Sequence, residues 1–345
     1  MFELDSVPPG TYEITVAASG YMNIVDSVKI VAGALAHFDR TMHASAQAIT
    51  GWKNVSTTSI TNDLTCVSCV NPSLYFAAGF SGTVIRSTDG GATWSTLPAP
   101  GTENLYAVHF IDTNRGVVLG NTGASYYTTN GGRSWQDQRN NYYRYTYRNA
   151  SFTDPMNGVA VGSDGMGGGG VVQTTDGGAS WTDRTGIFTT PPGVSPLYGV
   201  GFASPTVGCV VGVNASIYTT TNPSNDWKTV NSGMVGTFFS AAMPDPQTIT
   251  IVGDNGVIYH STNFGALWSP QISPYNSRLS AVAFADANHG IIAGFANVIL
   301  YTINGGANWV DMSSGSTDYY GVAMSDQFHA VVVGKGGAIV TSVVQ

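Results

Sequence analysis

Charge is scarce in this sequence. Of 345 residues, 13 are Lys or Arg and 21 are Asp or Glu, which leaves a formal net charge of −8 at pH 7. The basic residues form no run, and this argues against a nucleic-acid footprint, because phosphate binding needs a concentrated positive surface. Glutamate occurs only as Glu3, Glu13 and Glu103. No apolar stretch approaches the roughly 18 to 20 residues of a membrane-spanning helix. The opening MFELDSVPPGTY has neither a basic nor an apolar leader segment. The expectation is a soluble chain without membrane insertion, any export signal being missing or removed. Cysteine is limited to Cys66, Cys69 and Cys209, an odd set with no disulfide framework and no zinc-ligand spacing. Cys66 and Cys69 fall in LTCVSCV, on opposite faces of a strand, and read as buried thiols. No metal and no cofactor is expected.

What the chain has is apolar and small residues: 43% of it is hydrophobic, with 43 Gly, 17 Tyr and 7 Trp. That composition is globular, and the length permits a large core. The tryptophans are the decisive feature. Trp52, Trp94, Trp135, Trp181, Trp227, Trp268 and Trp309 are separated by 42, 41, 46, 46, 41 and 41 residues. Around Trp135 the unit reads YAVHF, then DTNRGVVLG, then NTGASYYTTNGGRSW, three alternating apolar runs split by Gly/Asn/Asp turns and leading into a fourth. No helix is needed. A four-stranded unit at this period cannot cover both sheet faces alone, and radial stacking around an axis does so. The fold class is therefore all-β, a β-propeller. The last unit, YGVAMSDQFHAVVVGKGGAIVTSVVQ, stops after three runs, while Trp52 in GWKNV stands before the first complete unit. Residues 51–56 are thus expected to supply the outer strand of the last blade, closing a ring of seven over 46–345 and removing an exposed edge.

The turn before Trp reads Ser87-Thr-Asp89-Gly-Gly91-Ala-Thr93-Trp94 in one unit, and Thr128 to Trp135 and Thr174 to Trp181 repeat it. These segments resemble the Asp-box, or BNR, repeat S/T-x-D/N-x-G-x-T/S-W. Asn263/Gly265/Trp268 and Asn304/Gly306/Trp309 lack the Thr, and Asn222/Ser224/Trp227 lacks the Gly as well. The expected role is structural: Asp or Asn accepts hairpin N–H groups, Gly supplies a positive φ, and Trp fills the space beside the next strand. Taken over 51–345, the repeat resembles the YCF48-like propellers. That resemblance implies a photosystem II assembly factor, as in plant and cyanobacterial members, or a secreted or surface protein, as in many bacterial relatives. Residues 1–45 carry VPPGTYEITVAASGY and resemble the second half of a carboxypeptidase-regulatory-like (transthyretin-like) β-sandwich, here partial.

In such a ring the loops between strands four and one, and between two and three, gather on one face, where function usually lies. The extended connections are 136–146, 163–170 and 183–197. Arg139, Tyr142, Tyr143, Arg144, Tyr145, Arg148 and Arg184 lie in or beside them, with Arg278 in a further connection. Tyr and Arg bury large area while keeping polar contacts, so this set is the candidate binding surface. A solvated, Tyr-rich loop is the alternative reading. Catalysis is the rival class, since Asp-box propellers include sialidases and other glycoside hydrolases, but the paired carboxylates such chemistry requires are thin here. Glu103 is the one propeller Glu, no F/Y-R-I-P segment precedes the repeats, and Asp164, Asp254 and Asp318 are the remaining face candidates. No histidine has ligand spacing with another, and Asp112, Asp154, Asp245, Asp286 and Asp326 read as hairpin caps. Asn54, Asn149 and Asn214 begin glycosylation sequons. The expectation is a non-catalytic protein-binding or assembly scaffold, extracellular, surface-bound or periplasmic. The alternatives are a self-associating structural component and a glycan-binding or glycan-cleaving propeller.

Overall fold

The computed structural model describes residues 48–139, 145–188, 194–313, 315 and 317–344, and the backbone of 10–16 and 24–30. The chain divides into two compact units, Thr50–Val343 and Met1–Ile49 with Val344–Gln345. In the smaller unit Gly10–Val16 pairs antiparallel with Ile24–Ile30, Gly10 opposite Ile30 and Val16 opposite Ile24. The rest of the partial sandwich expected over 1–45 lies outside the described residues.

The larger unit is a seven-bladed propeller of four-stranded antiparallel sheets. Blade 1 runs outward through Leu64–Asn71, Leu74–Gly79, Val84–Ser87 and Ser95–Thr96. Blades 2 to 6 repeat it from inner strands Leu105–Phe110, Thr146–Phe152, Leu197–Phe202, Phe238–Ala242 and Leu279–Phe284. Blade 7 comprises Tyr319–Met324, Ala330–Gly334 and Ile339–Val344, and its outer strand is Ile49–Asn54 from the far end of the sequence. Val55 N donates to Ile339 O at 3.0 Å beside this junction. Consecutive inner strands pack side by side all the way round, Tyr319–Met324 meeting Leu64–Asn71.

Apolarity is graded along each blade as this stacking requires. Second strands such as GVVLG, GIIAG and AVVVG are buried at every residue, because neighbouring sheets cover both faces. Outer strands are only two to four residues in six of the blades and mostly exposed. Between blades the core is continuous; Phe76 of blade 1 and Phe110 of blade 2 stack in parallel, 3.4 Å between centroids.

Within four blades one three-residue stack recurs. The inner strand ends in Phe110, Phe152, Phe202 or Phe284, and the blade's Trp135, Trp181, Trp227 or Trp309 meets that ring nearly edge-on at 5.9–6.1 Å. On the other side the second strand opens with Gly116, Gly158, Gly208 or Gly290, where a Cβ would stand 2.5–2.6 Å from the Phe ring. The Trp turn is held by its polar residues. Asp89 accepts Thr93 N at 2.9 Å and the Thr93 hydroxyl at 2.6 Å, Gly91 N donates to Ser87 Oγ at 2.8 Å, and Trp94 Nε1 donates to Gly91 O. Those bonds from Thr93 hold the Asp89 carboxyl below the usual carboxylate range. Asn130, Asp176, Asn263 and Asn304 accept the equivalent backbone N–H in their blades.

A second glycine closes each second strand. A Cβ on Gly120 would lie 2.2 Å from Asn104 O, and one on Gly79 would lie 1.9 Å from Asp63 O. Gly120→Ala is therefore expected to cost ~2 kcal/mol or more as an overpacked contact, whereas Gly186→Ala, with nothing within 4 Å, stays within ~0.5 kcal/mol of the parent. Ala215 sits at φ 53° where other blades place Gly82, Gly123, Gly256 or Gly337 at positive φ. Ala215→Gly is expected to gain ~1 kcal/mol by relieving a left-handed backbone. Equilibrium urea unfolding of the three variants checks all of this.

Candidate functional site: the axial mouth

The close glycine forces an irregularity that places the site. With Gly120 pressed against Asn104 O, the register of the inner pair steps from Leu105 opposite Gly120 to Ala107 opposite Leu119, leaving Tyr106 as a bulged residue. The same one-residue bulge occurs in all seven inner strands. The extra residues are Thr65, Tyr106, Arg148, Tyr198, Phe239, Ser280 and Tyr320. All seven line a single axial cavity of about 600 Å³. The rest of its lining mixes Val108, Val200, Ala241 and Val282 with Ser68, His109, Asn149 and Ser240.

The turns between second and third strands complete the mouth with Phe80 and Phe295. In three blades the residue just before the inner strand latches two blades together. Asp63 Oδ1 accepts Gly336 N at 2.8 Å, Asn104 Oδ1 accepts Ser81 N at 3.0 Å, and Asp318 Oδ1 accepts Ala296 N at 3.0 Å. Blade 6 has Arg278 in that position, and its guanidinium stands over the cavity 3.5 Å from the Phe239 centroid and 5.0 Å from that of Phe295. Arg148 is held the same way, 4.7 Å from Tyr106 and 5.8 Å from Tyr198. Burial lowers the proton affinity of Arg278; the charge of Arg148 adds to this, and Asp254 and Tyr198 oppose it. Arginine stays cationic through such a shift. Among the described residues neither guanidinium forms an ion pair, and the buried Nε of each has no hydrogen-bond partner.

The sequence-derived surface is not one surface. Among its described residues Arg148 reaches the mouth, where it is joined by Arg278 from the further connection. Arg139 is committed elsewhere, paired with Asp137 at 2.6 Å and with Glu103 at 2.5 Å, and stacked over Tyr126. Arg184 donates to Gln173 Oε1 beside the outer strand of blade 3. Tyr145 is corrected from contact residue to core residue: it is 1% exposed, its ring fills the slot left by Gly170, and its hydroxyl donates to Asp183. Tyr142, Tyr143 and Arg144 lie outside the described residues. The mouth's aromatic residues Tyr106, Tyr198, Phe239 and Tyr320 are not among the sequence candidates, although with Thr65, Arg148 and Ser280 they form a readable column, one place after the first buried residue of each inner strand.

Of the candidate acids, Asp164, Asp318 and Glu103 are occupied structurally. Asp164 accepts Met166 N and Gly168 N, and Glu103 accepts the Tyr126 hydroxyl at 2.7 Å besides its pair with Arg139. Burial pushes the thiols up, Cys66 and Cys209 to about 12 and Cys69 to about 11, far from a reactive thiolate.

His109 stacks on Phe152 at 4.6 Å, and burial pushes its pKa from 6.5 down to about 4. The unfolded chain takes up this proton near 6.5 and the folded protein only near 4, so stability is untouched above 6.5 and falls as pH drops between those values. His109→Gln is expected to lose less unfolding free energy than the parent between pH 7 and pH 4.5. Equal losses in urea titrations at the two pH values would remove this assignment.

The family description "Photosynthesis system II assembly factor YCF48" matches residues 16–127 and 129–275. Among curated proteins nothing matches the sequence. Three solved structures share the fold at a TM-score of 0.68 and 85% coverage of this chain. They are YCF48 bound to a D1 peptide (17% identity, 97% of that chain covered), YCF48 from Cyanidioschyzon merolae (17%, 99%) and the WD40 β-propeller domain of Doa1 (12%, 97%). At these identities the likeness is one of fold, whereas the family description spans well over half of the sequence. The chain belongs to the YCF48 family.

Proposed function

We propose that this propeller is a non-catalytic binding or assembly scaffold that receives a polypeptide partner at its axial mouth. The observation carrying the reading is the ring of bulged residues: Tyr106, Tyr198, Phe239 and Tyr320 surround a roomy cavity together with Arg148, all on the inner strands of the blades. Aromatic and arginine side chains presented rigidly around a concavity are what protein recognition favours. A related propeller holding a D1 peptide supports a polypeptide ligand. The non-catalytic part rests on the occupation of Glu103 and Asp164 by structural hydrogen bonds. A location outside the cytoplasm, whether extracellular, surface or periplasmic, rests on composition, with 3 Glu against 43 Gly and 17 Tyr, and on the sandwich-like segment over 1–45.

A random-peptide display library, with D1 peptides included, tests the reading. Selection on the parent protein is expected to enrich peptides whose affinity falls at least tenfold, or ~1.4 kcal/mol, in the double variant Tyr106→Ala, Tyr198→Ala. Enriched peptides indifferent to that change, or no enrichment, would refute it.

A further inference from the structure

Four buried polar atoms without partners surround one cavity: Arg148 Nε, Arg278 Nε, Ser280 Oγ and Ser68 Oγ. The two serines are each 8% exposed. Buried donors are rarely left open, and buried cations least of all. Arg115 is paired with Asp112 and Arg139 with Asp137 and Glu103, while Arg86, over Phe76 and outside the cavity, shares the unpartnered Nε but stands alone there, whereas Arg148 and Arg278 line one cavity together. The mouth carboxylates pair with neither, because Asp63 and Asp318 are turned to the backbone amides of Gly336 and Ala296, and Asp254 acts on Arg278 without forming an ion pair. Stacking adds a direction. With aromatic rings against their faces, both guanidiniums offer N–H groups only in their own planes, the geometry that matches a carboxylate. Around the two arginines the cavity presents the rings of Phe80, Tyr106, Tyr198, Phe239, Phe295 and Tyr320.

We infer that the axial cavity binds a carboxylate carried on a compact apolar body, the acid group between Arg148 and Arg278 and the body among the aromatic rings of the mouth. This rests on the axial mouth being the binding site and names the chemistry it selects. A free organic acid and the C-terminus of a polypeptide ending in an apolar residue share that chemistry.

Isothermal titration of the full chain with N-acetylphenylalanine, its amide, and a tetrapeptide ending in Phe with a free or amidated end tests the inference. At least one acid is expected to bind tenfold or more tightly than its amide, and to weaken as salt is raised. Arg278→Gln and Arg148→Gln are each expected to abolish the acid-over-amide preference, Arg278→Lys to retain part of it, and Arg115→Gln to leave it intact. Binding of the free acid but not of the tetrapeptide identifies a small-molecule site; the reverse identifies a chain-end site. Equal affinity for acid and amide, or no binding of either acid, overturns the inference, and both comparisons use the unaltered protein. Library peptides that bind at the mouth without regard to a carboxylate would leave the wider reading standing and remove this one.

Discussion

The contact on which this propeller depends is the near-perpendicular meeting of a Trp ring and a Phe ring beside a missing side chain. In blade 2, Trp135, Phe110 and Gly116 form that stack, and it recurs around Phe152, Phe202 and Phe284. Each member serves a different strand: Phe ends the innermost, Gly begins the second, and Trp introduces the outermost. Their fit sets how the three are spaced, and edge-to-face geometry tolerates little else. The polar turn from Ser87 to Thr93 then aims the Trp.

The ring was legible in the sequence because the Trp turn is rebuilt in nearly every blade and the full stack in four of them. Seven tryptophans at near-constant spacing, a Phe at the end of the first run and Gly at the start of the second are its trace. The turn aspartates were legible for a similar reason; Asp112, Asp154, Asp245, Asp286 and Asp326 each accept two backbone N–H groups in their hairpins. The site was not legible, since a bulge adds one residue without changing composition. In LYAVHF it turns Tyr106 to the axis, and strict alternation gives no warning of this. Tyr145 misled in the opposite sense. A tyrosine beside arginines reads as surface, but Gly170 across the sheet leaves room for its ring, and a pairing so distant in sequence carries no local mark.

The charges divide by place. The net −8 of the chain is largely tied into turns and short-range pairs, where carboxylates organise backbone amides. At the axial mouth the position before the inner strand of blade 6 holds Arg278 and one bulge position holds Arg148. These two side chains give an acidic protein a pair of cations at its axis without altering its frame. Stability follows from the repeated positions, and selectivity from the exceptions to them.

The outer strand of blade 7 comes from the beginning of the propeller sequence and its three partners from the end. Ser56 and Ile339, bonded across that seam, are 283 residues apart. During synthesis the early strand leaves the ribosome first and waits for nearly the whole ring to be made. At ~5–20 residues per second the wait lasts tens of seconds. Six blades can form on local contacts as they emerge, while the seventh completes only after the last strand arrives. Ring closure is thus the slowest loop to draw shut, and a nascent propeller carries an open seam between blades 7 and 1 throughout its own translation.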